Sequence, residues 1–302
     1  MNCFNASDYI LESLESALNQ SYQNLEIIIW DNGSSEDIKS LIDNFTNDQR
    51  IRFFRNEHNE TLGKARNRAI DVSKGDYIAF LDCDDLWLEN KIEQQVHKFS
   101  EDKETGLVFT DAYFFDEKGV GKQIYKKQNP PTGYVFGGLL SNYFLVMSTV
   151  MIKREVLDQM DEYFDQSYEI IEEYEFFLRI SKIWKLDYCH DVLGMWRMHS
   201  KSTTFTKSHL IAREKQDMLK KFTSIYKNFS NDFEDEIEVV KQKISMTKAL
   251  NFFYNGENEM ARNEIRQLIF NNKKALVYYI GTYMPVTLFV RVYRFFTGTM
   301  PV

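Results

Sequence analysis

Apolar positions in the first hundred residues switch repeatedly between a helical and an extended period. Ile10, Leu11, Leu14, Ala17 and Leu18 recur at helical spacing within Tyr9 to Gln20, behind Ser7 or Asp8 as N-cap, which predicts a helix. Leu25 to Trp30 is a β-branched run closed by Asp31-Asn32-Gly33-Ser34, which reads as a strand and a turn. The alternation continues with a helix over Glu36 to Phe45, a strand over Ile51 to Arg55, a helix over Ala65 to Ser73 and an apolar strand over Tyr77 to Leu81. Strands alternating with helices imply a parallel, doubly wound α/β sheet. Ligands of such sheets sit beyond the carboxyl ends of the strands. Those ends carry Asp31 and the run Asp82-Cys83-Asp84-Asp85.

The middle third is less regular. A strand is expected over Leu107 to Phe115, a loop-rich stretch over Asp116 to Gly138, and a strand over Ser148 to Ile152. Helices are expected over Arg154 to Met160 and Glu172 to Lys182. From about Lys207 the pattern is all-helical, with a hairpin from Lys248 to Tyr254 and Glu259 to Phe270 around Asn255-Gly256-Glu257. The chain is therefore divided into 1–110, 111–206 and 207–302.

Composition narrows the function classes. With 302 residues, 43% hydrophobic and only 4 Pro, the chain has the make-up of a folded protein with a sizeable core. Its net charge of −8 argues against non-specific nucleic-acid binding, which needs basic surface. It leaves a phosphate ligand open, because a divalent metal reverses the local sign. Cys3, Cys83 and Cys189 have no metal-type spacing and read as reduced thiols. Met1 to Asn5 lacks both the basic start and the apolar run of a signal peptide, so a cytoplasmic site of action is expected. From Lys273 to Val302 there is no acid, while Lys273, Lys274, Arg291 and Arg294 make the tail basic.

Two carboxylate clusters carry the candidate chemistry. The acids at 82, 84 and 85 repel one another unless a cation lies between them, and hard oxygen donors completed by substrate phosphates suit Mg²⁺ or Mn²⁺. An acidic turn with Asp84 or Asp85 capping a helix is the alternative. The second cluster is Glu169, Glu172, Glu173 and Glu175 at a helix start, where acids serve as dipole partners or, facing a cleft, as a general base.

Read in order, five stretches resemble the family 2 glycosyltransferases, which have the GT-A nucleotide-diphospho-sugar transferase fold. They are Asn2 to Tyr22, Glu26 to Ser34, Gly63-Lys64-Ala65-Arg66-Asn67, Tyr77 to Asp85, and Glu172 to Arg179 continuing to Trp196-Arg197-Met198-His199. The resemblance implies that Phe4 stacks on a nucleobase, that Asp31 accepts from its imide, and that Arg66 lines the nucleotide pocket. Asp82 and Asp84 match the acid-any-acid motif, whose last acid holds the metal on the diphosphate. His199 matches a position that completes the metal or phosphate site in some relatives, and Trp196 and Arg197 would wall the acceptor pocket. Glu173 aligns with the catalytic base, more often Asp, and Glu172 beside it is the other candidate. By the same resemblance, 1–110 is the nucleotide-sugar half of the transferase, 111–206 the acceptor half, and 207–302 a helical extension.

The activity implied is inverting, metal-dependent transfer of a hexose from a nucleotide-diphosphate sugar, UDP-linked for preference. The acceptor would be a hydroxyl of a glycan or lipid-linked glycan in bacterial surface polysaccharide synthesis. A nucleotidyltransferase would need a Gly-rich basic loop after the first strand, and Asn2 to Ser7 offers none. A catalytically degenerate nucleotide-binding scaffold is the alternative from another class. The family pattern opens with an apolar strand just before Asn2, so Met1 is expected to be an internal start. Residues 275–302 are expected either to lie peripherally on the inner face of the cytoplasmic membrane or to pack on the body or on a second subunit of a homodimer.

Overall fold

The computed structural model describes all residues except 46, 126, 127, 200, 201, 203–205 and 298–302. The chain forms two compact units, Met1–Ser202 and Thr203–Val302. The first runs β1 (Asn2–Cys3), α1 (Ile10–Leu18), β2 (Ile27–Asp31), α2 (Ile38–Ile42), β3 (Ile51–Arg55), α3 (Leu62–Val72), β4 (Tyr77–Ala79), β5 (Leu86–Trp87) and α4 (Lys91–Glu101). It continues with β6 (Thr105–Asp116), β7 (Gly119–Gln123), α5 (Phe136–Ser141), β8 (Met151–Lys153), α6 (Arg154–Asp158), α7 (Glu172–Ser181) and β9 (Lys185–Arg197).

β1, β2 and β3 pair in parallel, with Asn2 opposite Trp30 and Trp30 opposite Phe54. Every residue of β2 is buried, as expected of a strand covered on both faces. A second sheet has the order β4-β8-β6-β9-β5, with β7 also on β6. An isolated parallel bridge pairs Asn2 with Asp82, three residues beyond the end of β4. A cavity of about 640 Å³ lies between the two sheets, lined among others by Met1, Ile28, Tyr77, Leu81 and Met151. The Met1 ammonium donates to the Ile28 carbonyl, and its burial lowers its pKa.

The all-parallel expectation fails in the second sheet, where β8 runs antiparallel to both β4 and β6. Apolar periodicity reports that a strand exists, whereas its direction is set by the connection before it. Other boundaries move for local reasons. α1 is entered through a turn in which the Ala6 carbonyl accepts from the N–H of Tyr9 and Ile10, so neither Ser7 nor Asp8 is its N-cap. Asp37 caps α2 through Ser40 N–H, and the helix tightens to a 3₁₀ turn over Asp43–Phe45. The expected 116–138 loop contains β7, and the strand expected from Ser148 begins only at Met151, after a 3₁₀ turn over Met147–Thr149.

Ile10, Leu14, Ile29, Ile38, Ile42 and Leu81 form one core of this unit, and Ile92, Phe99, Val108, Met151, Cys189 and Leu193 another. All three cysteines are free, and burial pushes the Cys3 and Cys189 thiols up to about 12, so both are inert.

The second unit contains α8 (Ile211–Ile225), α9 (Phe229–Asp232), α10 (Glu234–Tyr254), α11 (Asn258–Ile265), α12 (Lys273–Gly281) and α13 (Val286–Thr297). Its core includes Leu250, Phe253, Ala261, Ile265, Tyr278 and Phe289. Among the described residues no helix is long and apolar enough to cross a membrane.

Candidate active site

The turn after β4 is held from three directions. Ser13 of α1 donates its hydroxyl to the carbonyls of Asp82 and Asp85, at 3.2 and 2.7 Å. The Ser148 hydroxyl accepts from Asp82 N–H and donates to Asp85 Oδ2 at 2.5 Å. Arg197 at the end of β9 donates its N–H to Asp85 Oδ1 and its Nε to the Asp84 carbonyl. Asp85 is therefore a buried structural acid. It does not cap a helix, and neither does Asp84, because α4 starts only at Lys91, with Asn90 at its N-cap position.

Asp82 and Asp84 retain exposed side-chain surface. Asp82 Oδ1 lies 3.1 Å from Arg66, and Asp84 Oδ2 lies 2.8 Å from His199 Nε2. Burial and the neighbouring Asp82 charge raise the Asp84 carboxyl above its ordinary value. His199 Nδ1 is buried without a hydrogen-bond partner among the described residues. This donor set fits a hard divalent cation, which would relieve the carboxylate repulsion and take further oxygens from a diphosphate. No group of three or more His, Cys, Asp or Glu among the described residues converges into a complete cage.

Arg66 links this turn to α7. It is buried on α3, with Nη1 2.7 Å from Glu172 Oε1, Nη2 on Asp82, and its guanidinium over the Phe164 ring. Glu172 is thereby committed to a buried ion pair. Glu173, one residue on, is only partly buried and accepts from the Tyr143 hydroxyl at 3.0 Å. Burial is the largest cause pushing its carboxyl up to about 7; Arg66 opposes this, and the Glu172 and Asp82 charges reinforce it. The helix start favours the carboxylate, but here desolvation wins.

At the other end of the site the loops after β1 and β2 are zipped together. Asn5 adopts φ +50° and its Oδ1 accepts from Ser35, while Ser34 accepts from Asn5 N–H and donates its own N–H to Asp31 Oδ1. Phe4, just before Asn5, is 48% exposed. Asp31 is fully buried, and its Oδ2 lies 3.4 Å from Arg55 Nε. Arg197 lies between the rings of Tyr9 and Phe115 and pairs with Glu12, while Trp196 packs against Phe114. Sequence reading missed Ser13, Arg55, Tyr143 and Ser148, because no local pattern singles them out and each acts through a contact distant in the chain.

The fold is that of the GT-A glycosyltransferases. It superposes on TarS of S. aureus in complex with UDP with a TM-score of 0.65 at 15% identity, covering 93% of this chain and 79% of that one. It also superposes on the mannosyltransferase PcManGT from Pyrobaculum calidifontis in complex with GDP-Man and Mn²⁺, with a TM-score of 0.61 at 13% identity, covering 99% and 86%. Residues 1–161 match the family described as Glycosyl transferase family 2. The chain is 32% identical over 213 residues to the UDP-Glc:alpha-D-GlcNAc-diphosphoundecaprenol beta-1,3-glucosyltransferase WfaP of Escherichia coli, covering 70% of this chain and 80% of that one. The chain belongs to glycosyl transferase family 2.

Proposed function

We propose that this protein transfers a hexose from a UDP-sugar, with inversion, to a hydroxyl of a diphosphate-lipid-linked glycan in bacterial surface polysaccharide synthesis. The observation that carries the reading is Arg66, which holds Asp82 with one nitrogen and Glu172 with another. It thereby brings the start of α7, with Glu173, beside the Asp82–Asp84 pair. The donor class is supported by the WfaP relative, whose name specifies UDP-Glc and a diphosphoundecaprenol-linked acceptor.

In this reading Phe4 stacks on the base and Asp31 orients it. Arg66 lies toward the diphosphate, and Trp196 and Arg197 border the acceptor side. Glu173 removes the proton from the acceptor hydroxyl. That oxygen then bonds to the anomeric carbon on the face opposite the nucleotide, and the bonding pair of the breaking C–O bond leaves with UDP. A base titrating near 7 is well matched to this task at neutral pH. Asp82 and Asp84, with His199, would hold a Mn²⁺ or Mg²⁺ ion, whose chemical contribution is to stabilise charge on the leaving diphosphate. The lipid part of the acceptor keeps the reaction at the cytosolic face of a membrane, with 1–110 serving the donor and 111–206 the acceptor.

The test is UDP release and product formation from UDP-hexoses with Mn²⁺ and a polyprenyl-diphosphate-linked N-acetylhexosamine acceptor. We expect a product of inverted anomeric configuration. Glu173→Gln should lower kcat by roughly a hundredfold or more while UDP affinity stays within about twofold. Turnover unaffected by Glu173→Gln, or a product of retained configuration, would overturn the reading.

A further inference from the structure

The α12–α13 hairpin exposes apolar residues on the outward sides of both helices. On α12 the buried residues are Ala275, Tyr278 and Gly281. A Cβ on Gly281 would meet the Phe289 ring at 2.4 Å, so the two helices are in close contact there. Phe289 itself is buried and packs on Phe253 and Tyr278. Phe289 thus packs on the inner side of the hairpin, opposite the exposed apolar residues.

The outer faces share one pattern. Lys273, Leu276, Val277 and Ile280 lie at i, i+3, i+4 and i+7 on α12, and Leu288, Arg291, Val292 and Phe295 repeat that spacing on α13. Apolar residues at this spacing form one stripe of a helix, which in a folded chain normally faces a core. Here Leu276, Val277, Ile280, Leu288 and Val292 are between 40% and 53% exposed, and Phe295 is 83% exposed. Each stripe carries one cation, Lys273 or Arg291, and Lys274 and Arg294 are exposed nearby. The sequence from Lys273 onward contains no acid.

We propose that this hairpin docks on an anionic lipid surface, with the two apolar stripes in the headgroup–acyl boundary and the basic residues at the phosphates. Charge complementarity selects this occupant. Two such hairpins face to face would oppose cations with no carboxylate between them. A bilayer containing phosphatidylglycerol offers anionic headgroups and apolar depth together. Helices of 9 and 12 residues are too short to span, so the hairpin lies in the interface.

The test is sedimentation of the full chain with vesicles, read without any sugar transfer so that its outcome is independent of the catalytic reading. With vesicles of phosphatidylcholine and phosphatidylglycerol at about 0.1 M salt, we expect the protein to pellet. With phosphatidylcholine alone, binding should be at least about tenfold weaker. Arg291→Glu/Arg294→Glu should lower binding about tenfold or more, and Ile280→Ser/Leu288→Ser should abolish it, both with circular dichroism unchanged. Failure of the wild type to pellet with the anionic vesicles would overturn the proposal. So would equal binding of either variant that folds, or a wild-type dimer that Ile280→Ser/Leu288→Ser converts to monomer without any vesicle binding.

Discussion

Adjacent identical side chains come to differ through a single contact. Glu172 and Glu173 are indistinguishable by residue type, yet Glu172 faces the buried Arg66 while Glu173 accepts from a tyrosine hydroxyl and keeps partial exposure. The acids of the 82–85 run diverge in the same way. Asp85 is consumed by Ser148 and the Arg197 N–H, whereas Asp82 and Asp84 pair with Arg66 and His199 and keep exposed side-chain surface. With Glu173 as base, kcat/KM should rise with pH through about 7, because only the carboxylate accepts the proton. Tyr143 donates to that carboxylate and so favours its charged form. Tyr143→Phe should therefore move the midpoint upward by roughly 0.5–1 pH unit, reversing none of the profile's shape. A pH–rate profile checks this, and an unmoved midpoint would remove Tyr143 from the positioning of Glu173.

At the scale of elements, turns and connections decide where the chemistry lies. The turn after β2 depends on Gly33, at φ +76°, where a Cβ would lie 2.5 Å from the His58 carbonyl carbon. Gly33→Ala faces both a left-handed backbone and a backbone clash that no flexible side chain can relieve. It should destabilise the protein by about 1–3 kcal/mol and weaken UDP binding, because Asp31 and Ser34 flank the same turn. Urea unfolding and calorimetry read the two effects separately. Short elements also explain the misjudged boundaries: β8 has three residues and α2 five, too few for periodicity to locate their ends.

For the whole molecule, every candidate site residue lies within Met1–Ser202, and that unit has its own apolar cores. A chain ending at Ser202 should therefore bind UDP with Mn²⁺ within about threefold of the full-length affinity by calorimetry, while losing any binding to anionic vesicles. A loss of UDP binding in a truncated chain that still folds would show that the helical unit shapes the nucleotide site. The net charge also divides at this scale. The acidic total of −8 contains a stretch from Lys273 onward with four basic residues and no Asp or Glu, so the remainder of the sequence is more acidic than that total.

The sequence by itself determined the α/β alternation, the carboxylates at strand ends, the five family stretches and the basic, acid-free tail. Each of these is a local pattern, fixed by spacing along the chain. Only the tertiary structure decided which acid of each cluster is committed to an ion pair, which direction β8 runs, that Ser13, Ser148 and Arg197 jointly hold the 82–85 turn, and which apolar residues of α12 and α13 are exposed. Those outcomes depend on partners distant in the chain, and desolvation and pairing act on a side chain only once its surroundings exist.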